Sequence, residues 1–259
     1  MTVLSAVRVG PLARVNPVAK LATVLTTSVV LIATIDWVSA AVALALECVL
    51  LLAARLPLGV VVRRTLPLVI AAPLAGITTV LYGQTSGHTY WQWWLVEVSD
   101  GSISLGLATA LRILAIGVPA IVLFITIDPT DLADGLAQIV RLPARFVIGA
   151  LAGLRLVGLF VEDWRALELS RRARGVADGG AARRTVGQTF ALLVLSIRRG
   201  SKLATAMEAR GFGADGPRTW ARHSQLAARD WGVFGLGIVV AAVSVAVSVA
   251  TGSWNFVFA

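Results

Sequence analysis

Lysine occurs only twice in this sequence, as Lys20 and Lys202. No Gly-x-x-x-x-Gly-Lys-Ser/Thr phosphate loop is present, which excludes a nucleotide-hydrolysing site of that kind within the chain. The single cysteine, Cys48, excludes an internal disulfide. His88 has no companion ligand at metal-binding spacing and reads as a surface residue, so no metal site and no bound cofactor are expected. Charge is scarce as well. Only 14% of the 259 residues are charged and 57% are apolar, and the mean hydropathy of +0.82 excludes an ordinary soluble domain. What is left is an all-α integral membrane protein whose core is built against the lipid bilayer.

Five apolar runs are long enough to serve as spans, at 18–35, 37–54, 66–83, 103–127 and 232–250. The first, about 18 residues, covers roughly 27 Å as a helix, close to the thickness of the hydrocarbon. A cleavable leader is the alternative for it, because Val38-Ser39-Ala40 resembles a small-residue cleavage site, but the next apolar run follows at once. Asp36 joins the first two runs into a tight hairpin. Pro67 and Pro73 lie near the start of the third and predict a kink there.

The net charge of +9 suggests a nucleic-acid partner until the basic residues are located. Three precede or open the first run, three lie between the second and third, Arg112 stands alone in the fourth, and sixteen fall between Asp128 and Trp231. The segment 84–102 has no Lys or Arg. This alternation is the positive-inside pattern, so the charge reports topology and not nucleic-acid binding. It places the N-terminus, 55–65 and 128–231 in the cytoplasm, and 84–102 and the C-terminus outside. Trp37, Tyr90, Trp91, Trp93, Trp94 and Trp254 then fall on the outer face, where aromatic rings favour the headgroup layer. The expected division is 1–127 as a four-helix membrane part, 128–231 as a cytoplasmic region, and 232–259 as a final span with an external end.

Two charges lie inside the spans at similar expected depth. Glu47 is about ten residues from the outer end of the second run, and Arg112 about nine from that of the fourth. An unpaired charge there costs several kcal/mol, so an ion pair or shared polar network between Glu47 and Arg112 is expected. It reads better as a clamp between helices than as part of a solute pathway.

The region 128–231 opens with Asp128-Pro129-Thr130-Asp131, where Thr130 is a plausible N-cap, and a short helix runs to about Arg141. Pro143 then starts a helix reaching Arg174, about 32 residues or roughly 48 Å. Its apolar half, 146–161, is interrupted by Arg155 and is read as lying along or obliquely crossing the inner surface. A spanning hairpin with 190–197 is the alternative topology. After a linker at 176–184, a third helix covers about 185–210. Both long helices end alike, in Ala173-Arg174-Gly175 and Ala209-Arg210-Gly211. Glycine suits the left-handed position past a helix end, and arginine complements the negative end of the helix dipole. Ordinary capping accounts for one copy. Two copies on two helices of one region suggest ends that enter a groove, each guanidinium reaching a carboxylate bidentately.

At these residues the chain resembles the transmembrane T component (EcfT) of energy-coupling factor transporters, of the CbiQ and BioN type. The resemblance rests on the paired Ala-Arg-Gly ends, Thr126-Ile127-Asp128-Pro129-Thr130-Asp131-Leu132, the stretch 150–155, Ala206-Met207-Glu208-Ala209-Arg210-Gly211-Phe212 and Asn16-Pro17-Val18-Ala19-Lys20-Leu21. It covers nearly the whole chain. It implies a non-catalytic scaffold with two long coupling helices, whose Ala-Arg-Gly ends insert into two cytoplasmic ABC ATPase subunits that bind ATP-Mg. A separate membrane S component would bind the vitamin or metal ion. On this resemblance Ala173, Arg174, Gly175, Ala209, Arg210 and Gly211 are the coupling residues.

Two rivals are weaker. The run Asp131-Leu132-Ala133-Asp134-Gly135 is superficially like the metal site of membrane phosphatidyl-alcohol transferases, but Gln138 and Ile139 stand where Ala and Arg belong and no second aspartate motif follows. A permease of a conventional ABC importer is the closer rival, although that design generally has one coupling helix per permease.

Overall fold

The computed structural model describes residues 10–83, 86–93, 96–175, 180–214 and 219–255. Helix dominates, as it must in lipid, where each backbone N–H and C=O has to be satisfied within its own segment. After a single 3-10 turn at Pro11–Arg14, the helices are α1 (Pro17–Ile32), α2 (Trp37–Ala53), α3 (Leu58–Tyr82), α4 (Asp100–Ile125), α5 (Pro129–Gln138), α6 (Ala144–Ala173), α7 (Ala181–Glu208) and α8 (Ala228–Ala250).

Their boundaries follow from local chemistry. Asn16 caps α1, its side chain accepting from the Val18 N–H, with Pro17 in the first turn where its missing N–H costs nothing. Asp36 caps α2, and Ser99 with Ser102 forms a reciprocal capping box on α4. The third helix begins at Leu58, eight residues before the expected 66, because it continues through Arg63 and Arg64, both exposed. It passes through Pro67 and Pro73 as one helix. Asp128, not Thr130, caps α5: its carboxylate accepts from the Thr130 N–H at 2.8 Å.

Four helices, α3, α4, α6 and α8, are long and apolar enough to cross a membrane. The chain is a multi-pass membrane protein. At 16 and 17 residues α1 and α2 are shorter, roughly 24 and 26 Å against a hydrocarbon thickness of about 30 Å. The sixth helix meets the length and composition test that its apolar half alone, 146–161, was expected to fail, because the helix is one piece of 30 residues.

The chain forms two compact units, one of Asp128–Ser224 and one joining the preceding helices to the residues from Gln225 on. The last helix therefore belongs with the helices before Asp128 and packs against α1 and α2. It starts at Ala228, four residues before the expected 232, because Asp230 is buried and caps it, accepting from the Ala227 and Asn16 N–H groups at 2.7 Å each. Asn16 returns a side-chain hydrogen bond to the Gln225 carbonyl. Nearby, the buried Lys20 ammonium donates to the Thr126 carbonyl and hydroxyl at 3.1 and 2.9 Å.

The interior of this unit is made of small residues. Ala40, Ala43, Ala72, Ala115, Ser102 and Ser244 are fully buried, as expected where close van der Waals contact replaces a hydrophobic drive between helices. The tightest approach joins α3 and α4. A Cβ on Gly76 would meet the Gly106 carbonyl oxygen at 2.9 Å, and one on Gly106 would meet that of Gly76 at 2.7 Å.

The segment 84–102 contains an antiparallel hairpin, β1 (Thr89–Trp93) with β2 (Val96–Ser99), bulged between Thr89 and Trp91. The charge pattern places this segment outside the membrane but assigns it no strand. Its Thr, Tyr, Trp and Val content was the available signal, since β-branched and aromatic residues fit a pleated surface. Trp94 and Gln84 lie outside the described residues.

Substituting Gly106→Val forces α3 and α4 apart and is expected to cost about 2 kcal/mol. Gly59→Ala, in open space, should leave stability unchanged or slightly higher. Denaturant titration in detergent micelles, read by helical circular dichroism, compares the two.

Candidate functional site

The two Ala-Arg-Gly segments terminate α6 and α7. At the first, Arg174 N–H bonds to the Ser170 carbonyl and Gly175 N–H to that of Arg172, and Gly175 has φ +65. At the second, Arg210 N–H reaches Met207, Gly211 N–H reaches Glu208, and Phe212 N–H returns to Met207 at 2.9 Å, with Gly211 at φ +79. That last bond spans five residues and closes the helix by a left-handed cap. A Cβ on Gly175 or Gly211 would meet nothing within 4 Å. Glycine is therefore required by backbone conformation and not by space.

All six residues, Ala173, Arg174, Gly175, Ala209, Arg210 and Gly211, are exposed. Among the described residues neither the Arg174 nor the Arg210 guanidinium has an ion-pair partner. Their neighbours behave differently. Arg172 pairs with Glu168 at 2.6 Å one turn back. Arg171 donates to the Gly187 carbonyl at 2.9 Å, across to α7. Ala173 and Ala209 put no bulk beside the two free arginines, so each helix end presents one planar five-donor cation on a narrow tip.

Three further contacts hold α6 to α7, and none was foreseen from sequence. Arg199 pairs with Asp163 at 2.7 Å. The buried Gln188 donates to the Trp164 carbonyl at 2.8 Å. The Arg171 guanidinium also reaches the Arg184 carbonyl at 3.4 Å. A lone aspartate at the junction of an apolar and a basic half-helix was the signal for the first. In the same unit, residues after α7 strap back onto α5. Gln138 donates to the Arg222 carbonyl and accepts from the Ser224 N–H, at 2.8 and 2.9 Å, while Arg222 pairs with Asp131 at 3.0 Å. Asp131 and Gln138, weighed above as parts of a transferase motif, are thus engaged in structure. Among the described residues no group of three His, Cys, Asp or Glu side chains converges in a metal-binding cluster.

The expected Glu47–Arg112 pair is not formed. Arg112 instead donates to the Thr34 carbonyl, with the Asp36 carboxylate as its nearby charge. Its long side chain reaches along the bundle to the α1–α2 connection, where a helix end leaves a carbonyl free. Glu47 is buried and lines a cavity with Thr23 and Thr27 of α1 and Pro119 and Leu123 of α4, and its Oε2 has no hydrogen-bond partner. Counting from the run ends puts the two at one depth, but they are offset along the helices: Pro119 and Leu123, which share a cavity with Glu47, lie about two to three turns past Arg112 on α4.

Residues 9–220 match the CbiQ family, described as cobalt transport protein. The chain belongs to the CbiQ family. The matched stretch includes both Ala-Arg-Gly ends and stops short of α8. The chain is similar to the energy-coupling factor transporter transmembrane protein EcfT of Limosilactobacillus fermentum (strain CECT 5716 / Lc40), 30% identical over 168 residues, 60% of this chain and 62% of that protein. The EcfT of Acidaminococcus fermentans is 27% identical over 179 residues, 64% of this chain and 66% of that protein. The EcfT of Brevibacillus brevis is 25% identical over 216 residues, 79% and 78% of the two chains. The chain spans just under two thirds of the length of the first two of these relatives.

The Arg199–Asp163 pair is only partly screened, with the Asp163 side chain 13% exposed. Replacing Asp163 by Ala is expected to loosen α7 against α6 by about 1–2 kcal/mol. Amide hydrogen exchange should accelerate in α6 and α7 while protection in α1–α4 stays unchanged.

Proposed function

We propose that this CbiQ-family chain is the transmembrane T component of an energy-coupling factor importer. In this reading α6 and α7 are coupling helices, and Arg174 and Arg210 dock into acidic grooves of two cytoplasmic ATPase subunits. A separate membrane S component binds the substrate, a vitamin or a transition-metal ion, and the chain carries ATP-driven motion to it. The observation that supports this most is the pair of exposed helix ends, each bearing an arginine that has no ion-pair partner among the described residues, while Arg171 and Arg172 beside the first are engaged. A guanidinium held at a helix terminus transmits force because the helix must follow it.

ATP and Mg would be bound by the partner subunits, in keeping with the absence of a phosphate loop here. The chain would lie in the cytoplasmic membrane with its N-terminus inside and its C-terminus outside, as the asymmetry of Lys and Arg supports.

The double substitution Arg174→Glu with Arg210→Glu tests the reading. Turning a groove-bound cation into an anion should cost about 2–5 kcal/mol per end, at least roughly 30-fold in affinity for each. Co-purification of the ATPases and substrate uptake should both be lost, with helical content and monodispersity in detergent unchanged. Normal assembly in the double variant would refute docking through these ends.

A further inference from the structure

Where α1, α2, α4 and α8 pack together they leave a cavity of about 130 Å³, walled by Leu51, Leu123, Val240 and other apolar residues. Three side chains bring oxygen to it: Glu47, Thr23 and Thr27. Glu47 is only 6% exposed, and its Oε2 is buried without a hydrogen-bond partner. Among the described residues no ion pair engages this carboxyl.

The hydroxyl hydrogens next to it are already committed. Thr23 Oγ1 donates to the Ala19 carbonyl at 2.8 Å, and Thr27 Oγ1 to the carbonyls of Thr23 and Val24 at 3.1 Å. Both hydroxyls therefore offer lone pairs alone. The polar part of the cavity is the Glu47 carboxyl together with two hydroxyls that can only accept, and a cationic donor complements it, filling the hydroxyl lone pairs and pairing with the carboxyl. A hard divalent ion does not fit, since it takes six or more oxygens and the walls are apolar. The volume is somewhat below that of a cavity of about 150 Å³ that holds benzene. It admits a slender aliphatic stem and excludes a bulky headgroup. Leu50 and Leu236, which also line the cavity, are 36% and 48% exposed, so the mouth opens on the outer surface of the bundle, where lipid lies.

We propose that the Glu47 cavity is a binding site for a primary ammonium group on a slender aliphatic stem, entering from the lipid side. The ammonium donates to Glu47 and to the lone pairs of Thr23 and Thr27, while its methylenes fill the apolar wall. The same chemistry is supplied by a free alkylamine or by a lysine side chain of a neighbouring membrane helix. The site is independent of the Ala-Arg-Gly ends and stands whether or not these dock an ATPase.

The test uses the full chain in detergent with n-butylammonium chloride as the probe. Two controls accompany it: n-butanol, which matches the stem without the charge, and tetramethylammonium, which has the charge without N–H donors. Butylammonium at about 100 times its dissociation constant is expected to raise Tm by about 5 °C, saturably. Neither control should do so, and Glu47→Gln should abolish the response. A second variant, Leu236→Trp, closes the mouth and leaves the carboxyl in place; it too should lose the response, and it serves if Glu47→Gln does not fold. An equal response in either folded variant, an equal response to butanol, or no response in the native chain overturns the proposal. Once the response is established, carbodiimide treatment of native membranes without added amine separates the sources. An amide between Glu47 and a lysine within another protein's membrane span assigns the site to a partner helix, and its absence assigns it to a free amine.

Discussion

The helices around α8 depend on one buried carboxylate. Asp36, 4% exposed, accepts from the Ser39 N–H at 2.6 Å and the Ser39 hydroxyl at 2.8 Å, which starts α2. It also accepts from the Ser248 hydroxyl of α8 at 2.7 Å. Arg112 of α4 lies beside it, bonded to the Thr34 carbonyl, and the Ile35 N–H reaches the carbonyl of Asn255. A charge in this setting is tolerable only when its lone pairs are filled and an opposite charge is near. Asp36 meets both conditions by drawing three helices to one point. At the other end of the same helices Asp230 and Lys20 do similar work with backbone groups.

With both ends of the bundle tied by satisfied polar groups, its middle can be lean. Alanine, serine and glycine bring α3 onto α4 and α8 onto α1 and α2 at close range, and large apolar side chains are left for the lipid. Glu47 stands apart there: its Oε2 is buried without a hydrogen-bond partner and no ion pair engages the carboxyl among the described residues, whereas Arg112, whose Nε is also left unpartnered, has the Thr34 carbonyl and the Asp36 charge beside it. That contrast is why it reads as a ligand site and not as a structural bolt.

Much of this was legible from residue order, and the misses share a cause. Hydropathy located the apolar helices, and glycine after arginine correctly marked two left-handed caps, because both signals are local. The start of α3 was misplaced since a helix can extend past the lipid boundary through Arg63 and Arg64, which a hydropathy reading treats as loop. Distance from the end of a hydropathy run is a poor measure of depth when helices are offset along their axes, so Glu47, which lies level with Pro119 and Leu123 of α4, was paired with Arg112, and Asp36 was not seen as the charge beside that arginine. The Asp163–Arg199 pair and the Gln138 clamp on 222–224 join residues far apart in the chain, with no local pattern to announce them. The exposure of Arg174 and Arg210, in contrast, was anticipated by the duplicated triplet itself.

The central claim is that one copy of this chain engages two ATPase subunits, one at each Ala-Arg-Gly end. Native mass spectrometry of the assembled complex, released intact from detergent, counts them directly. The account predicts two ATPase subunits for each copy of this chain. A complex with one ATPase per copy, as in a permease with a single coupling helix, would contradict it.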